Sequence, residues 1–156
     1  YNVPFMRWAL GTNILFGKRV TIIGGGFAAC ELAEFLVKRG RTVTIVEQAE
    51  ELVEGMVPAL WGYLKIWFNK NNVKMMPGVK EYLSIDDRGL TIIGKNGIKV
   101  TLKADTFVSA LPLTPQPDLA AALEGKVPEV YTVGDCVHPG LIREAINAGL
   151  QTAVAV

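Results

Sequence analysis

Residues 19–28 read Arg-Val-Thr-Ile-Ile-Gly-Gly-Gly-Phe-Ala, and no other stretch constrains the fold as strongly. A β-branched run is the pattern of a buried strand. Three glycines follow it without a break. Residues 27–39 then place Leu32, Phe35 and Leu36 on one helical face, and Gly40 supplies a C-terminal stop. A second β-branched run, residues 42–46, ends at Glu47. Strand, glycine turn, helix and strand in this order require a parallel pair joined by a crossover helix.

The alternation continues. Pro58 opens a second helix that runs to about residue 71, with Leu60, Leu64, Trp67 and Phe68 as its apolar stripe. A short strand covers residues 73–76. The pattern then changes to three strands, 79–85, 90–93 and 98–102, joined by turn residues 86–89 and by 94–97 with its Asn-Gly pair. Residues 106–110 return to a buried strand, 130–133 form a last one ending in Gly134-Asp135, and residues 140–155 make an amphipathic helix with Ile142, Ile146 and Leu150 on one face. The expected fold is α/β: a Rossmann-like, mostly parallel sheet with helices on both faces and an inserted three-stranded antiparallel meander at about 79–103. The expected organisation is a lead-in over 1–17, a main domain over 18–125, and a returning strand and helix over 126–156.

The glycine run reads G-x-G-x-x-A in the context of a dinucleotide-binding fingerprint: a strand before it, a helix after it, and an acid at the end of the next strand. Gly24 permits the turn out of the strand, and Gly26 lets backbone approach a pyrophosphate. Ala29 is small enough for close helix–sheet packing. The helix N-terminus at Phe27 and Ala28 offers N–H groups to phosphate. Glu47 suits a ribose diol and repels a 2′-phosphate, and no Arg or Lys follows it in residues 48–51. NADH is therefore expected over NADPH.

Composition narrows the rest. Half of the 156 residues are apolar, enough for one ordinary core. A net charge of +1 offers no field for nucleic acid or an anionic membrane. No apolar run reaches membrane-spanning length and no signal peptide is visible, so a cytoplasmic location is expected. The chain opens at Tyr1 and ends in a helical pattern, which reads as a piece excised from a longer protein. Cys30 and Cys136 form no CxxC and read as small fillers, and His138 reads as a loop residue. No metal site and no acid–base catalyst is expected.

On these residues the chain resembles the NAD(P)H-binding domain of flavoproteins with two dinucleotide-binding domains, over residues 18–156. Residues 24–31 (Gly-Gly-Gly-Phe-Ala-Ala-Cys-Glu), 126–137 and 143–149 look most like the C-terminal module of old-yellow-enzyme-like 2,4-dienoyl-CoA reductases and enoate reductases. The resemblance implies a parent with an FMN barrel, an iron–sulfur cluster and FAD, in which NADH delivers hydride to FAD. It implies that Glu31 lies near the nicotinamide, where its bland alternative is a favourable helix-terminal charge. It implies that Ala110 enters a loop close to the cofactor, and that Gly134 and Asp135 border FAD, where the alternative for Asp135 is a turn residue. The partners implied are a nicotinamide dinucleotide and the remaining domains of the parent. Ala29 stands in place of a third glycine, and residues 109–112 lack the glycine that the family carries after this strand. A non-catalytic nucleotide-binding module and an NADH oxidase or ferredoxin-reductase relative remain as alternatives.

Overall fold

The computed structural model describes residues 16–156. Its main sheet has the order β3-β2-β1-β7, all parallel. Here β1 is Arg19–Ile23, β2 is Thr42–Val46, β3 is Lys74–Met76 and β7 is Thr106–Ser109. Helix α1, Phe27–Val37, links β1 to β2, and α2, Pro58–Lys70, links β2 to β3. The separate antiparallel sheet has β5 at its centre: β4 is Glu81–Asp86, β5 is Gly89–Ile93 and β6 is Lys99–Leu102. The expected α/β class, parallel sheet and inserted meander are all present.

Period-two alternation sorts the side chains of the parallel strands into two cores. Val20, Ile22, Val43 and Ile45 join a cluster with Ala29, Ala33 and Leu36 of α1 and Phe68 of α2. Their neighbours Ile23, Val46, Met76 and Phe107 join a second cluster with Val79, Leu90, Ile92 and Leu102 of the meander region. Helices thus cover one face. Among the described residues the meander, not a helix as expected for both faces, covers the other, because its apolar residues Leu90, Ile92 and Leu102 pack there. Each fully buried Ile, Leu or Phe contributes roughly 1.5–3 kcal/mol, so Phe68, Ile22, Ile45 and Leu36, at most 1% exposed, dominate the first core.

The stripe of α2 is rotated from its expected position. Leu60 is 54% exposed. Trp61, Leu64 and Trp67 pack on the core instead, beside buried Phe68. Positions 60, 64, 67 and positions 61, 64, 68 span equal arcs of a helix, so packing against the sheet, and not periodicity, selects the face that is buried.

Register places the site. Met76, Val46, Ile23 and Ser109 lie in one row across the sheet. Because all four strands run the same way, the next residues, Pro77, Glu47, Gly24 and Ala110, share one rim. At the opposite end Asp105 fastens β7 to β1. Its Oδ2 accepts the Arg19 N–H at 2.9 Å, and its Oδ1 lies 2.6 Å from Arg19 Nη2.

The chain divides into two compact units, one ending at Leu111 and one over Pro112–Val156. The break falls in the proline-bearing segment 112–117, earlier than the 125/126 boundary read from sequence. The second unit holds α3, Asp118–Leu123, a 3₁₀ turn at Gly134–Cys136, and α4, Ile142–Ala155. Helix α3 has no counterpart in the sequence reading. The strand expected at 130–133 is not formed. Val133 is extended, with φ −140° and ψ 156°, but no strand of this unit offers it a ladder. An extended segment becomes a strand only when a neighbour takes its N–H and C=O groups. The expected lead-in falls almost entirely on residues 1–15, outside the described residues.

Candidate functional site

The three consecutive glycines have three different physical reasons. Gly24 has φ +108°, in the region that L side chains rarely adopt, and its N–H donates to Val46 O at 2.8 Å. A Cβ there would sit 2.8 Å from the Ala110 carbonyl carbon. Gly25 is closed in from the side, since its Cβ would lie 2.9 Å from Glu47 Cβ and 3.0 Å from Leu52 Cγ. Gly26 is unlike both. Its φ is −70°, which any residue adopts, and a Cβ on it would meet nothing within 4 Å. Neither a positive φ nor a close neighbour requires a glycine at this position. A glycine here leaves the backbone open to close approach from outside.

Gly26 is the N-cap of α1. No side chain caps it, and the first turn carries no acid. Phe27 is half-buried and Ala28 exposed, so the first turn opens to solvent. The helix dipole and N–H groups there favour an anion. Ala29 is fully buried against Val20 and Ile22.

Glu47 is the first residue after β2 and is half-buried. Its Oε2 accepts the Gly25 N–H, and its Oε1 accepts the Ala49 N–H at 2.8 Å. Two backbone donors orient the carboxylate against the glycine turn. Each oxygen keeps a further lone pair for another donor. Glu47 raises two neighbouring groups. The Cys30 thiol is pushed up to about 12, first by burial and then by the charges of Glu31 and Glu47. The Tyr82 phenol is also pushed up to about 12, by burial and then by Glu47. Both stay neutral at physiological pH, and Cys30 is a packing residue.

Sequence reasoning missed the loop that closes this corner. Val53 is a buried β-branched residue at φ +48°. Its N–H donates to Gly25 O at 2.8 Å. Leu52 packs beside it. No local signal announces Val53, because its conformation follows from a contact with a turn far back in the chain.

Glu31 is exposed, one turn into α1, on a cleft of about 330 Å³ lined also by Phe27, Cys30, Met56 and Tyr63. Ala110 donates its N–H to Ile23 O at 2.8 Å and closes the rim beside Gly24. The structure thus brings Gly24, Gly26, Phe27, Ala28, Ala29, Glu47 and Ala110 together around one strand–turn–helix junction. Gly134 and Asp135 lie in the second unit. Gly134 has φ +73°, and Asp135 Oδ1 accepts the Gly140 N–H at 3.2 Å. Asp135 is there a turn-forming acceptor ahead of α4. Among the described residues, no group of three or more His, Cys, Asp or Glu is placed to hold a metal ion. No described helix is long and apolar enough to cross a membrane.

A parallel sheet whose first strand passes through a glycine turn into a helix, with an acid after the second strand, defines the Rossmann-like α/β class. Comparison with known proteins gives the family. Residues 6–151 match the family model of the pyridine nucleotide-disulphide oxidoreductases, and the chain belongs to that family. It is 32% identical over 153 residues to an NADH oxidase of Thermoanaerobacter brockii, covering 96% of this chain and 23% of that protein. It is 34% identical over 151 residues to a bilirubin reductase of Mediterraneibacter gnavus, again covering 96% and 23%. Among solved structures, a 2-naphthoyl-CoA reductase in complex with 2-naphthoyl-CoA superposes with a TM-score of 0.80 at 28% identity, over 96% of this chain and 23% of that one. The chain therefore spans about a quarter of the length of these relatives.

Proposed function

We propose that this chain is the NAD(H)-binding part of an FAD-dependent oxidoreductase, with the dinucleotide lying across Gly24–Gly26 and the N-terminus of α1. The observation that carries this reading is Gly26, an exposed glycine at an ordinary φ of −70° whose Cβ would meet nothing within 4 Å. In this reading the pyrophosphate meets the Gly26 backbone and the open first turn of α1. Glu47, already oriented by two N–H groups, accepts from both hydroxyls of the adenosine ribose. Glu31 and Phe27 border the nicotinamide end. When bound, NADH supplies a hydride for a flavin; the residues of this chain bind and orient the dinucleotide and perform no acid–base step.

The family supports an NAD(H)-linked redox role. The finer reading is a parent of the enoate or dienoyl-CoA reductase kind, in which Gly134 and Asp135 border FAD. The reductase relatives named above favour it. The chain carries one glycine fingerprint and not the second that FAD needs. The testing experiment is calorimetric titration of the 156-residue chain with NADH and with free FAD, alongside its visible spectrum. Saturable NADH binding by a colourless protein supports the proposal. Absence of NADH binding, or a stoichiometric flavin absorbance, overturns it.

A further inference from the structure

The acid loop after β2 has a cationic neighbour that is not adjacent in sequence. Glu47 O accepts the Val79 N–H at 2.8 Å, and Ala49 O accepts the Gly78 N–H at 2.8 Å. These bonds fix the start of the meander against the loop that carries Glu47. Gly78, at φ +74°, leaves room for Lys95 to lie over it: a Cβ on Gly78 would be 3.0 Å from Lys95 Cδ. Lys95 stands in the hairpin turn between β5 and β6, and its Nζ is 2.5 Å from Glu50 Oε2. A cation is thus delivered three residues beyond Glu47 and is already neutralised there.

We propose that Glu50 and Lys95 form a specificity pair for the adenosine ribose: Glu50 holds the Lys95 ammonium and withholds it from a 2′-phosphate. This rests on the nucleotide site proposed above. Glu47 disfavours a 2′-phosphate directly. That disfavour is effective only while no cation nearby is available to offset it. Among the described residues, Lys95 is a cation that the fold brings to this loop, on a long flexible stem suited to a dianionic phosphate. Glu50 occupies it. Both side chains are largely exposed, 64% and 73%, so the pair opens readily when one partner is removed. Without the Glu50 charge, Lys95 becomes a phosphate ligand. Without Lys95, Glu50 adds its repulsion to that of Glu47.

The test is titration of the 156-residue chain with NADH and NADPH in four forms: wild type, Glu50→Gln, Lys95→Met, and the double variant. Glu50→Gln should tighten NADPH by at least about fivefold, steepen the salt dependence of that binding, and leave NADH within about twofold. Lys95→Met should weaken NADPH slightly in the wild-type background and remove the whole gain in the Glu50→Gln background. Unchanged NADPH affinity in Glu50→Gln overturns the proposal. So does a gain that survives in the double variant, which would reflect loss of negative charge alone. Equal shifts for NADH and NADPH overturn it too, because the pair would then shape the site without discriminating. Wild type that fails to bind NADH overturns the underlying site, a result distinct from each of these.

Discussion

The carboxylate of Glu47 accepts the backbone N–H of Gly25, joining the end of β2 to the middle of the glycine turn. The bond is reinforced on both sides: Glu47 Oε1 holds the Ala49 N–H, and the Gly25 carbonyl holds Val53. The acid after β2 and the glycine turn are therefore one hydrogen-bonded unit. A change at either is felt at the other.

Gly24 and Gly26 should separate stability from binding. Gly24→Ala meets both an unfavourable φ and the Ala110 backbone. It should cost about 1–3 kcal/mol and lower Tm. Gly26→Ala enters open space and costs less than about 1 kcal/mol as an N-cap change. It should weaken NADH binding by at least about tenfold, or 1.4 kcal/mol. Thermal melts and calorimetry on the two variants check the pair. Unaltered NADH affinity in Gly26→Ala would move the phosphates elsewhere.

Glu47 should set the cofactor preference. Wild type is expected to bind NADH at least about tenfold more tightly than NADPH. Glu47→Ala should narrow that ratio chiefly by weakening NADH. The same substitution leaves the Gly25 and Ala49 N–H groups without their acceptor, so Tm should also fall, by the equivalent of about 1–3 kcal/mol. Parallel titrations with both nucleotides measure the ratio. NADPH binding as tightly as NADH in wild type would show that Glu47 does not face the ribose.

The two thiols should differ in reactivity. Cys30 is buried, and its thiol is pushed up to about 12, so the nucleophilic thiolate is scarce at pH 8. Cys136 is half-buried. Alkylation with iodoacetamide at pH 8 should modify Cys136 first and Cys30 only after denaturation. Peptide mass spectrometry reads the order, and rapid labelling of Cys30 in the folded chain contradicts it.

The Arg19–Asp105 clasp should appear in the acid limb of stability. The side-chain bond from Arg19 holds the Asp105 carboxyl below the usual carboxylate range, helped by the Arg19 backbone N–H. A depressed folded-state value means that the clasp contributes fully above the unfolded value, about 3.9, and is lost as pH falls through the lower folded value. Asp105→Asn should therefore lower Tm near neutral pH, and the gap from wild type should close below about pH 4. A gap independent of pH would mean that the loss came from packing.

What the sequence determined by itself was local. The run of residues 19–28, the acid at Glu47, the Asn-Gly hairpin at 96–97 and the Pro58 helix start all lie in short windows, where propensity and periodicity act between near neighbours. From these the α/β class, the parallel order of β1 and β2, the meander and the glycine turn were legible. Tertiary structure decided whatever depends on contacts between distant segments. It gave Gly25 a steric reason in Glu47 and Leu52, drew Val53 into a left-handed conformation, and carried Lys95 from a far hairpin to Glu50. It also left residues 130–133 unpaired, although their composition reads as a strand. The reason is the same throughout: a strand needs a partner and a charge needs a neighbour, and local sequence does not name either one.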